Sequence, residues 1–228
     1  MKTLSCLLAA GLALAAPVVA GAAVSAPAWL ESYYLNPEPD RLAADVQRLS
    51  QSGFLDRSDN TAVAIGFLGA LFARHPDRVE AWLADCGNLP ARHRRILAAA
   101  LWQSGHPEGP ALLRALAVQS PVREEIERLA TLPPPLLAET SVVSVSSMRL
   151  HWGAFLATGD ERHIVSILDA FGRNEPALTT AARMALARNA AVHPRVMAIC
   201  RAQLDRQPEE IRSELRAALH AAADLTRS

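Results

Sequence analysis

The feature that most constrains this chain is a spacing. From Pro39 to Asp224 the apolar residues recur three and four apart, the period at which an α-helix returns to one face, and residues that stop helices interrupt the pattern at short intervals. Leu42, Val46 and Leu49 share a face of a segment from about Arg41 to Gln51, and Gly53 stands where a left-handed C-terminal cap belongs. Ser58, Asp59 and Asn60 offer caps for a helix from about Thr61 to Arg74, whose Val63, Ile65, Phe67, Leu68, Leu71 and Phe72 surround it on most sides, as in a helix inside a bundle. Within it Gly66 and Gly69 each forfeit roughly 1 kcal/mol of helix stability, and close approach of a second helix is the usual compensation.

The same grammar repeats. His75-Pro76-Asp77, Gly105-His106-Pro107, Thr158-Gly159-Asp160 and His193-Pro194 each end one helix and open another. Between them lie the stripes Val79/Trp82/Leu83/Cys86, Ile96/Leu97/Ala100/Leu101, Leu112/Leu113/Leu116, Met148/Trp152/Phe155/Leu156, Ile164/Ile167/Leu168/Phe171 and Val196/Ile199/Cys200/Leu204. Pro208 opens a last helix with Ile211, Leu215, Leu219 and Ala222. The pattern predicts an all-α fold, an irregular array of about four or five helical hairpins, α-solenoid-like or a bundle. A regular tetratricopeptide array has a period of about 34 residues, which does not thread through the chain. Pro133 to Ser147 breaks the pattern: three successive prolines and a Ser/Val run predict a long connection packed over the helices, dividing the array at about 131–147.

Met1-Lys2, the apolar run from Leu4 to Ala16, Pro17 and the small cluster Ala20-Gly21-Ala22 form the three-part pattern of a signal peptide. The expected division is a leader over residues 1–22, cleaved somewhere from 22 to 28, and a single all-helical domain over 23–228, periplasmic or secreted. Cys6 precedes most of the apolar region and does not read as a lipidation site. No later apolar run is long enough to span a bilayer, so no membrane insertion is expected once the leader is removed. Lys plus Arg and Asp plus Glu number 23 each, so no cationic field gathers nucleic acid.

The chain holds seven histidines but no HExxH and no zinc-like His/Cys spacing, so no metal and no cofactor is expected. His75, His106 and His193 precede proline at helix ends, where an imidazole bonds a terminal carbonyl or, protonated, complements the helix dipole. His151 and His163 bracket the Thr158-Gly159-Asp160 turn, and a hairpin there brings them together with Asp160; these three are the candidates for a catalytic or metal site. No GxSxG elbow or phosphate-binding loop appears, the serines lack a recognisable base partner, and Arg92-His93-Arg94-Arg95 reads as a solvated basic patch. Cys86 and Cys200, on inward stripes, form a possible disulfide that would close a loop of about 115 residues and add about 5 kcal/mol in the entropic model. Two independent buried thiols are the alternative.

The stretch from Leu150 to Asp160 (LHWGAFLATGD), with Asn189-Ala190-Ala191-Val192-His193-Pro194 and Tyr33-Tyr34-Leu35-Asn36-Pro37, resembles segments of an uncharacterised family of exported, all-helical bacterial proteins. The hairpins also bear a distant likeness to TPR/HEAT-like repeats. The resemblance implies helical architecture and no catalytic residues. The function expected is therefore that of an exported helical-repeat protein that binds another protein through a groove between hairpins. The alternative is a hydrolase or metal-dependent enzyme built on His151, Asp160 and His163.

Overall fold

The computed structural model describes residues 27–118 and 120–227, and all regular elements among them are helical. They are α1 (Ala28–Ser32), α2 (Leu42–Gln51), α3 (Ser58–Arg74), α4 (Val79–Asp85), α5 (Ala91–Ser104), α6 (Gly109–Ala117), α7 (Arg123–Leu129), α8 (Val145–Thr158), α9 (Glu161–Leu168), α10 (Pro176–Val192), α11 (Pro194–Gln203) and α12 (Glu209–Leu225). The all-α expectation holds. The leader over residues 1–22, with Cys6, lies outside the described residues. Among those described, no helix is long and apolar enough to cross a membrane.

Local stereochemistry sets most boundaries. Gly53, Gly105 and Gly159 take φ of 75°, 65° and 66°, the left-handed conformation that costs a side-chain-bearing residue energy and here follows α2, α5 and α8. Proline opens α10 and α11 at the first turn, where its missing N–H is not needed. The polar run expected to cap α3 does other work: the helix starts at Ser58 without a side-chain cap, and Asn60 instead donates to the carbonyl of Phe54. The helices α1 and α7 were not foreseen. Their buried faces are single residues, Leu30 and Ile126, too few to show a period.

The long connection is shorter than its sequence predicts. Ser144 and Ser147 form a capping box, each side chain accepting from the other's backbone N–H, so α8 begins at Val145 rather than beyond Ser147. The remainder is anchored by a 3-10 turn at Leu137–Glu139 and by the fully buried Val142.

The centre of the molecule is α3, which packs against α8 on one side and α5 on another. Helices α10 and α12 form a second packed pair, reached from α8 through α9 and α11. One apolar cluster runs through all of them, from Leu30 to Ala222. Because α3 and α8 are remote in sequence, their pairing differs from a solenoid, in which each helix touches only its neighbours along the chain, and the centre is a bundle.

That pairing is made by backbone. A Cβ placed on Gly66 would lie 1.9 Å from the carbonyl oxygen of Leu150, and one on Gly153 would lie 2.0 Å from that of Val63. Two glycines, one from each helix, thus face the opposite main chain. Gly69 meets α5 less tightly, its Cβ position being 3.2 Å from the Ala100 carbonyl oxygen. We expect Gly66→Ala and Gly153→Ala each to cost about 3 kcal/mol or more, because a rigid backbone must move. Gly172→Ala, which meets no atom within 4 Å, should change stability by less than about 0.5 kcal/mol. Urea denaturation checks this, and a Gly66→Ala protein as stable as the parent would refute the crossing.

Candidate functional site

The turn at Thr158-Gly159-Asp160 folds α8 and α9 into a hairpin, and the two histidines expected to meet there do meet. His151 is fully buried and His163 is 7% exposed, with their Nδ1 atoms 3.2 Å apart. The Nε2 of His151 lies 2.7 Å from the carbonyl oxygen of Thr140, in the long connection. A carbonyl only accepts, so His151 carries its proton on Nε2 and, in the neutral ring, presents a lone pair at Nδ1. His163 must then donate from its own Nδ1, which leaves its Nε2 as a lone pair. Burial pushes both imidazoles below the ordinary histidine value, and for His163 the neighbouring His151 adds to this, bringing it down to about 4.

His163 lines a cleft of about 490 Å³. Its floor is the small-residue stripe of α3, Gly69, Ala70 and Ala73; Gln103 and Ser104 of α5 form one wall, and Leu136, Leu137 and Glu139 of the connection form a lip. Asp160, the third predicted site residue, also lines the cleft, but its carboxylate is engaged: it caps α9 by accepting from the Arg162 N–H and pairs with the Arg162 guanidinium at 2.6 Å. That bonding, against a smaller cost of burial, holds its carboxyl below the usual range. Among the described residues no group of three or more His, Cys, Asp or Glu side chains is arranged to hold a metal ion. The hydroxyls of Ser104 and Thr158 donate to helix carbonyls of Leu101 and Ala154, so neither stands as a nucleophile beside the histidine pair.

A second constellation escaped the sequence. His93, in the first turn of α5, is buried at 1% exposure, so the basic cluster at 92–95 is not one solvated patch. Its Nδ1 lies 2.7 Å from the Ser50 hydroxyl and its Nε2 lies 2.9 Å from a carboxylate oxygen of Asp56. Arg92 also pairs with Asp56, and together the two hold that carboxyl down at about 2. A Ser-His-Asp order is the polarity of a charge-oriented nucleophile. The surroundings oppose that use. Ser50 sits in the last turn of α2, where carbonyls rather than N–H groups point outward, so a developing oxyanion would face the negative end of the helix. The neighbouring cleft of about 370 Å³ is lined by Asp56 and Arg92 and not by Ser50 or His93. We read this network as a latch joining α2, the turn at Phe54–Asp56 and α5. The only signal in the sequence was the polarity of the three residues, which are 43 and 37 positions apart in their pairings.

His106 bonds the carbonyl of Pro76 at 3.0 Å, tying two turns together rather than capping its own helix. His193 tilts against Tyr34 and is pushed down by burial, the opposite of a dipole-complementing cation. His75 packs edge-on to Trp82. Cys86 and Cys200 are free, buried thiols and not a disulfide. Cys86 follows α4 and faces the Ala43 carbonyl, whereas Cys200 lies in α11, and burial pushes both up to about 12. Between α4 and α6 runs a further groove of about 460 Å³, lined by Leu83, Ala84, Leu112, Ala115, Leu116 and Val118, with Glu80 and Arg94 also along it. Comparison of the chain with protein-family models, curated proteins and solved structures finds no match.

Two outcomes follow from these networks. Between pH 6.5 and about 4 the unfolded chain binds more protons at residue 163 than the folded protein does, so stability is complete above 6.5 and falls as the pH drops toward 4. Urea titrations at about pH 7.5 and about pH 4.5 should show the parent losing roughly 2–3 kcal/mol more than His163→Phe; equal losses would refute a neutral pair. At the latch, His93→Phe should lower stability by about 1–2 kcal/mol, because Ser50 loses its partner while Asp56 keeps Arg92, and a fluorophosphonate should leave Ser50 unlabelled.

Proposed function

We propose that the protein is an exported helical module that binds another polypeptide, and that the α4–α6 groove is where it does so. The observation that carries this reading is the groove's composition. Six of its lining residues are apolar, and Val118 at its edge is 68% exposed although it is a large aliphatic side chain. A channel of this kind between two helices matches the mode in which an amphipathic helix lays its apolar face into a hydrophobic groove, with Leu112 and Leu116 one turn apart as anchor contacts. Glu80 and Arg94, of opposite charge, supply orientation to a partner whose flanking charges alternate. The signal-peptide pattern over residues 1–22 supports export to the periplasm or beyond the cell. A metal-dependent or hydrolytic role at His151, Asp160 and His163 has weaker support, since Asp160 is committed to capping and no free hydroxyl stands beside the pair.

A photo-crosslinking residue at position 118, in the full chain expressed in its native cell envelope, should yield one discrete protein adduct. Ala115→Glu, which places a charge in the groove at an exposed position, should abolish that adduct without shifting the melting temperature. A crosslinker at Arg216 on the exposed face of α12 is the control. Equal adducts from both positions, or an adduct indifferent to Ala115→Glu, would remove the groove as the binding surface. N-terminal sequencing of the envelope form should place its first residue at 23–29.

A further inference from the structure

The cleft beneath His163 has a polar inventory that does not balance on its own. His163 is more than nine-tenths buried, its Nδ1 is occupied by His151, and among the described residues its Nε2 lone pair has no hydrogen-bond partner. The amide oxygen of Gln103, also in the lining, is buried without a partner. A buried polar atom in the condition of the Gln103 oxygen costs free energy that a ligand or water recovers. The charges are equally telling. Asp160 and Arg162 neutralise each other, which leaves Arg74 and Glu139 as lining charges that join no ion pair among the described residues. One cation and one anion that form no ion pair among the described residues, and two acceptors, His163 Nε2 and the Gln103 amide oxygen, therefore face a space whose remaining walls are small or aliphatic.

We propose that this cleft binds a zwitterionic α-amino acid with an apolar side chain. The carboxylate pairs with Arg74, whose planar fork suits it, and the ammonium donates to His163 Nε2 and toward Glu139. The Gln103 amide can turn either its oxygen or its NH₂ to the ligand. The side chain lies over Ala70, Ala73 and Leu136. A plain cation meets Arg74 and a plain anion meets Glu139, so neither half of the ligand binds well without the other. The volume of about 490 Å³ lies within the range of small-molecule sites. The carbonyl of Thr140 has a role in this site, because it fixes the tautomer chain that leaves the acceptor facing the cleft. The proposal is independent of the α4–α6 groove.

The test is calorimetric titration of the full chain at neutral pH with a matched set: leucine, isocaproate, which lacks the ammonium, and isoamylamine, which lacks the carboxylate. Leucine should bind saturably and each analogue at least about ten-fold more weakly, the loss expected for one charge-assisted contact. Arg74→Ala and Glu139→Gln alter exposed side chains, so folding is preserved, and each should weaken leucine by about ten-fold or more. His163→Phe should abolish binding, with circular dichroism confirming that the variant is folded. Three results would each overturn the proposal: no binding of leucine, phenylalanine or methionine up to about 10 mM; an analogue binding as well as leucine; or affinity unchanged in both Arg74→Ala and Glu139→Gln.

Discussion

The structure depends on a contact between two main chains. Gly66 of α3 and Gly153 of α8 face each other's backbones so closely that a methyl group on either would overlap a carbonyl. Glycine in a helix interior is unfavourable by itself, and the compensation is that α3 can lie between α8 and α5 at once, burying Phe67, Leu68, Leu71 and Phe72. From this one crossing the rest is placed. Helix α8 carries His151 and Phe155 inward, α9 returns from it, and the α10–α12 pair docks through α9 and α11.

The same small-residue habit that permits the crossing creates the cleft. Toward its C-terminal end α3 presents Gly69, Ala70 and Ala73, which do not fill the space between α5 and α9. The long connection closes over that gap and contributes the Thr140 carbonyl, which decides which nitrogen of each histidine bears a proton. An irregular segment thereby controls the electronic state of a side chain two contacts away. The connection is fixed for this task by its own devices, the Ser144–Ser147 capping box, the 3-10 turn and buried Val142.

Most helices were legible because periodicity and punctuation agree at each boundary. Leu42/Val46/Leu49, the Gly53, Gly105 and Gly159 stops and the His-Pro starts are local facts, set within one or two turns of chain. The helices that escaped, α1 and α7, bury one residue each among their five and seven and give no pattern to read. At the candidate site the meeting of His151 and His163 followed from a hairpin turn between them, twelve residues apart. The Ser50–His93–Asp56 latch did not follow, since nothing local relates α2 to α5. His193 was misread for a similar reason: its surroundings are set by Tyr34, from the far end of the chain.

The sequence by itself determined that this chain is helical, where most of its longer helices stop, and that the glycines of α3 call for a close helix neighbour, because those properties depend on interactions a few residues long. It left open which helix that partner is, that Cys86 and Cys200 stay apart, and that His163, Arg74 and Glu139 line one cleft. Those depend on contacts between segments tens of residues apart, whose pairing is chosen by how the apolar faces fit together, and no periodicity along the chain records that choice.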